Sequence, residues 1–122
     1  MEMLGTKIET LAEVRQTISS TDKLVFIYLY ADWCPQCRVI RFEYYSALQH
    51  HSDKVLYVAA NLDKAPAVAE KFDITSADIP ALVVFRKGNM INTIRNIHRA
   101  EFENIDYPPG PEDEQDEEAE EN

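Results

Sequence analysis

The stretch "KLVFIYLY" (residues 23–30) is apolar on both faces and rich in β-branched and aromatic side chains. A strand wetted on one side alternates polar and apolar residues. One with no polar face belongs in the middle of a sheet that is covered on both sides. The neighbouring segments supply the cover. Residues 34–49 have helical spacing and offer Val39, Ile40, Tyr44, Ala47 and Leu48 to a core. "KVLYVAA" (54–60) reads as a second buried strand. Upstream, a short strand at 7–9 leads into a helix over 10–19, where Thr10 and Glu13 have capping-box spacing and Leu11, Val14 and Ile18 share a face. Pro66 suits the first turn of a helix reaching 72. "ALVVF" (81–85) and "MINTIR" (90–95) flank "RKGN", which predicts a hairpin with Gly88 and Asn89 as turn residues. A short helix over 99–105 follows. Strands alternating with helices and ending in a hairpin predict an α/β domain with a mixed sheet.

At 122 residues and 45% hydrophobic, the chain has material for one domain with its own core, placed here at 1–106. Residues 107–122, which open "YPPGP", hold too little apolar surface to order themselves and are expected to form a flexible tail. Much of the net charge of −10 sits there: 112–121 carry eight acids and no base, leaving 14 acids against 12 bases elsewhere. No Lys/Arg cluster answers a phosphate backbone and the acidic run repels one, so nucleic acid is excluded as a partner. The tail reads as a solvating appendage or, more sharply, as a docking segment for a basic partner. The N-terminus "MEMLGTKIET" has neither a basic n-region nor an apolar h-region. The longest apolar run, "LVFIYLYA", is far short of the roughly 20 residues of a membrane-spanning helix. A cytoplasmic address with no membrane partner is the expectation.

The only two cysteines stand in "ADWCPQCRVI" (31–40). They form a redox pair, half of a metal site, or two small hydrophobes that lie close together. In a reducing compartment a lone CxxC is more often catalytic or metal-binding than a structural staple. Zinc needs four ligands, and the histidines are only His50, His51 and His98. The first two fall at the far end of the helix, about 20 Å from Cys37, where a cation caps the C-terminus. Redox chemistry fits the placement better. A nucleophilic cysteine reacts as its thiolate, and the first turn of a helix favours an anion. Cys34 follows a strand and opens a helix, and Cys37, three residues on, is close enough to attack a mixed disulfide formed at Cys34.

With "YADWCPQCR" and, further on, "DIPALVVFRKGN", the chain resembles the thioredoxin family from about residue 7 to residue 106. The resemblance implies a thioredoxin-like mixed sheet flanked by helices. It implies Cys34 as an exposed nucleophile, Cys37 as the resolving thiol and a reversible disulfide between them. Trp33 would flank the active site, and Pro80, after Ile79, would be the cis-proline whose backbone edge pairs with a substrate peptide. Gly88 matches the family's hairpin glycine.

The chain also departs from the family pattern. The buried aspartate usual six residues before the first cysteine is Tyr28, a poor base at neutral pH. Its usual lysine partner is missing from "YVAANLD". Phe42 replaces the helix proline, Asn96 stands where a glycine is expected near the end of the last strand, and Pro35-Gln36 separates the cysteines. Cys37 is therefore expected to lose its proton sluggishly. Asp32, the one carboxylate beside the motif, reads as a solvated acid that mildly raises the Cys34 pKa. Trp33 reads as a substrate contact, whereas Tyr28, Tyr30, Tyr44, Tyr45 and Tyr57 read as filling.

These readings predict a thiol–disulfide oxidoreductase acting on disulfide-containing proteins, restored by a separate reductase or dithiol donor, with no bound cofactor and no metal. A thioredoxin-like adaptor that binds through its surface or acidic tail, with little redox turnover, is the alternative.

Overall fold

A computed structural model of the chain describes residues 6–51 and 53–98, with the backbone alone at 47, 48 and 51. The expected core roles of Ala47 and Leu48, the capping role of His51, the helix over 99–105 and the tail from 107 lie outside the described residues. In chain order the elements are β1 (Thr6–Lys7), α1 (Leu11–Ser19), β2 (Leu24–Tyr30), α2 (Pro35–His51), β3 (Val55–Asn61), α3 (Pro66–Lys71), β4 (Ala81–Arg86) and β5 (Asn89–Ile94). The five strands form one mixed sheet in the order β1-β3-β2-β4-β5.

All seven residues of β2 are buried, as a strand with two apolar faces requires. β2 runs parallel to β3, so the chain must cross over between them, and α2 is that crossover. On the other side β2 pairs antiparallel with β4, with Leu29 opposite Ala81. Phe26, Tyr28 and Tyr30 alternate onto one face of β2. There the Tyr28 ring stacks on Tyr30 at 5.7 Å and on Tyr44 of α2 at 4.8 Å, and Tyr44 meets Tyr57 edge-on at 5.1 Å. The Tyr44 hydroxyl reaches the carbonyl oxygens of Phe26 at 3.0 Å and Val58 at 2.6 Å. One phenol thus ties the middle of α2 to both central strands. The filling roles expected of Tyr28, Tyr30, Tyr44 and Tyr57 are met by burial.

The capping box of α1 is present. Glu13 N–H donates to the Thr10 hydroxyl at 3.1 Å, and the Glu13 carboxylate accepts from Thr10 N–H at 3.0 Å. The backbone N–H of Glu9 also donates to that carboxylate and, with Thr10, holds its pKa below the usual glutamate value.

Three expectations need correction. Val39 was offered to the core but is 54% exposed. The buried stripe of α2 is Cys34, Cys37, Ile40 and Tyr44, and that phase turns Val39 outward, one position away. The hairpin turn centres on Lys87 and Gly88, both at positive φ (50° and 82°), while Asn89 already belongs to β5. Positive φ at both central residues matches the twist of the flanking strands. The first strand is Thr6–Lys7 rather than 7–9, although Ile8 N–H still donates to the Ala59 carbonyl. Asn96 does adopt the left-handed conformation that its glycine-like position demands (φ 52°), which asparagine tolerates better than most residues. No described helix is long and apolar enough to cross a membrane.

Candidate active site

The site forms where β2 ends and α2 begins. Cys34 occupies the N-cap of α2: its carbonyl accepts from Arg38 N–H at 3.3 Å, and its Sγ accepts from Cys37 N–H at 3.1 Å. An N-cap side chain normally uses oxygen for this purpose; here sulfur receives the free amide. Pro35 takes the first helical position, where its missing N–H costs nothing and its fixed φ suits the helix. The same free N–H groups and the positive end of the helix favour negative charge on this sulfur once the bond is reduced. Cys34 and Cys37 are joined as a disulfide, with Cα atoms 5.2 Å apart.

The resemblance implied an exposed Cys34, and that needs correction: it is 4% exposed and Cys37 3%. The capping geometry explains the difference, since a sulfur folded onto its own helix N-terminus turns away from water. Trp33 is the exposed member of the motif, at 52%. Its indole Nε1–H donates to Asp63 Oδ2 at 3.0 Å, which orients the ring from the loop after β3.

The Ile79–Pro80 bond is cis, and both residues are buried. Pro80 immediately precedes β4, whose first residue lies opposite Leu29 near the end of β2, so the cis bond and the cysteines share one end of the sheet. The Pro80 carbonyl accepts from Ile97 N–H at 2.9 Å. With its side chain buried, Ile79 can contribute to a surface only through its backbone. Asp78 anchors the approach: its Oδ2 accepts from Thr75 N–H at 2.8 Å and its carbonyl from Asn96 N–H at 2.8 Å. The Thr75 amide, with smaller help from Arg95, holds the Asp78 carboxyl below the usual aspartate value.

Behind the disulfide lies a cavity of about 50 Å³ lined by Tyr28, Tyr30, Ala31, Asp32, Cys37, Arg38 and Arg41. Tyr28 stands at its wall, and its hydroxyl donates to the Cys37 carbonyl at 3.0 Å. Burial pushes the Tyr28 phenol well above its usual range, and the Arg41 charge only partly offsets this. Burial raises Tyr30 too. Tyr28 is thus a neutral donor that braces the first turns of α2. Tyr28→Phe, which keeps the ring and loses this bond, is expected to cost about 1 kcal/mol in urea unfolding. It should leave the pH profile of disulfide reduction unmoved, and a shifted profile would show that the phenol takes part in proton transfer.

Asp32 is exposed, as expected of a solvated acid. Its carbonyl accepts from Arg38 Nη2 at 3.0 Å and its carboxylate from Asn61 Nδ2 at 3.4 Å. His50, exposed, places Nδ1 2.8 Å from the Ser46 carbonyl in the last turns of α2. Among the described residues no cluster of three or more His, Cys, Asp or Glu could hold a metal ion. Sequence reasoning did not single out Arg38, Arg41, Asn61 or Asp63. The first two carried a signal, each lying four residues after a cysteine and so one helical turn along the same face.

A mixed sheet with a CxxC disulfide capping the helix after its central strand, beside a cis X–Pro bond, defines the class of thioredoxin-fold proteins. The family model described as Thioredoxin matches residues 5–105. The chain belongs to the thioredoxin family. It is 33% identical to mitochondrial thioredoxin-3 of Saccharomyces cerevisiae over 89 residues, 73% of this chain and 67% of that protein. It is 30% identical to mitochondrial thioredoxin-2 of Schizosaccharomyces pombe over 87 residues, 71% of this chain. The match spans 62% of the length of that second relative. The crystal structure of oxidised mitochondrial thioredoxin 3 from Saccharomyces cerevisiae superposes with a TM-score of 0.68 at 28% identity, covering 74% of this chain and 81% of that one.

Proposed function

We propose that the chain is a thiol–disulfide oxidoreductase that reduces protein disulfides, with Cys34 as nucleophile and Cys37 as resolving thiol. The observation that carries this reading is the sulfur of Cys34 at the N-cap of α2, bonded by the Cys37 amide and paired with Cys37. In the reduced protein the Cys34 thiolate attacks one sulfur of a substrate disulfide. The second substrate sulfur leaves as a thiolate and takes up a proton. Cys37 then loses its proton and attacks Cys34, displacing the remaining substrate sulfur. The pair ends oxidised by two electrons and the substrate reduced by two. A reductase or dithiol donor restores the dithiol.

Trp33, exposed and next to Cys34, and the backbone at Ile79, at the same end of the sheet, would both meet the substrate chain. A reducing compartment, the cytoplasm on the sequence reading, suits this direction of electron flow. The test is reduction of insulin with dithiothreitol as electron source. Precipitation that accelerates with added protein supports the reading, and a rate equal to that without protein refutes it.

A further inference from the structure

One residue lining the cavity behind the disulfide, Arg41, carries an unsatisfied donor. Arg41 Nε is buried and has no hydrogen-bond partner, the only buried side-chain nitrogen or oxygen in this position among the described residues. Arg41 lies four residues after Cys37 on α2, so the two side chains are neighbours on one face, and both line the cavity. A buried N–H of a guanidinium without an acceptor is costly, and an anion formed beside it would supply one. In the oxidised pair Cys37 has no charge to offer. After reduction, and again in the mixed disulfide, Cys37 is the one group on this wall that becomes an anion as the reaction proceeds.

We propose that Arg41 stabilises the Cys37 thiolate during resolution, in place of a proton-accepting carboxylate behind the disulfide. The proposal rests on the oxidoreductase reading above and assigns Arg41 as a positioning residue for its second step. The Cys37 proton leaves to water, for which the cavity has room. The thiolate, held beside the guanidinium, attacks Cys34 Sγ, the bond from Cys34 to the substrate sulfur breaks, and the substrate leaves as a thiolate that is then protonated.

The other charges and titrating groups around Cys37 do not duplicate this role. Tyr28 and Tyr30 of β2 are held neutral by burial. Asp32, in the loop before α2, has the same sign as the thiolate and opposes it. Arg38 is engaged with the Asp32 carbonyl. Asp63, after β3, accepts from Trp33, and Asp78, before β4, from Thr75. Lys7 of β1 acts on Tyr30.

The test uses the full chain carrying Cys34→Ser, in which Cys37 is the sole thiol, and follows its ultraviolet thiolate absorbance against pH. An opposite charge favours the ionised form, so removing it moves the midpoint up. Arg41→Met should raise the midpoint by roughly one pH unit, equivalent to roughly tenfold less thiolate at any pH below both midpoints. Arg41→Lys, which keeps the charge, should recover most of the shift. Coincident midpoints for Arg41 and Arg41→Met overturn the proposal, and so does an Arg41→Lys chain that titrates like Arg41→Met, because shape would then be responsible. With Cys34 restored, Arg41→Met should slow release of the mixed disulfide at neutral pH by a similar factor and leave the first attack by Cys34 unchanged. A native chain inactive on insulin would refute the oxidoreductase reading without touching the titration result, so the two failures are distinguishable.

Discussion

Cys34→Ser is expected to reduce catalysed insulin reduction to the uncatalysed rate from about pH 6 to about pH 9, because a serine hydroxyl stays protonated and unreactive toward disulfides throughout that range. Serine is the appropriate replacement on structural grounds. Its oxygen can accept from the Cys37 amide as the sulfur does, so the N-cap of α2 is kept and the loss is chemical. Cys34→Ala would also remove the cap, at about 1 kcal/mol, and confound the comparison. Cys37→Ser gives the complementary result. The first attack should proceed and release fail, so the protein should accumulate as a mixed disulfide visible by mass spectrometry. Residual turnover in Cys34→Ser equal to that of the native chain would remove the case for this cysteine as nucleophile.

Tyr44→Ala is expected to produce the largest loss of stability among single core changes, about 3–5 kcal/mol in urea unfolding of the oxidised protein. The ring is fully buried, stacks on Tyr28 and meets Tyr57 edge-on. Its removal opens a cavity between α2 and the sheet and strips a donor from the Phe26 and Val58 carbonyls. Domains of this size have only about 5–15 kcal/mol in total, so the variant sits near the threshold of folding. Tyr44→Phe separates the contributions: it keeps the ring and should cost about 1 kcal/mol. Equal losses for the two variants would mean that the hydroxyl, rather than the packing, holds α2 down. Since α2 carries both cysteines near its start, a loosened Tyr44 should also reduce turnover even though it lies more than a helical turn beyond the site.

The central strand and the cysteine corner were legible because each rests on a local rule. A strand without a polar face must be internal, and a cysteine after such a strand and before an amphipathic run must open a helix. The rotational phase of that helix was less legible. Val39 and Ile40 are equally apolar neighbours, and only the packing of Cys37, Ile40 and Tyr44 on the sheet decides which one faces water. The hairpin register was missed by one residue, because Lys87 adopts a positive φ that a lysine rarely takes and that only the pairing of Arg86 with Asn89 imposes. Long-range polar contacts were not legible. Tyr28 reads from the sequence as a poor base, but its bond to the Cys37 carbonyl depends on how β2 and α2 pack. The same packing buries the Arg41 Nε, and the bond from Trp33 to Asp63 joins residues 30 apart in sequence.

Because β4 runs antiparallel to β2, it starts beside the cysteines and delivers the chain to the opposite end of the sheet. The Lys87–Gly88 turn is therefore the point on the described hairpin most remote from the chemistry, and both of its residues are exposed. A peptide tag, a fluorescent reporter or new chain ends placed there would ride on a rigid ribbon without obstructing access to the reactive bond. The handle for building a sensor from this protein is thus already set at the other end of the sheet from its redox pair.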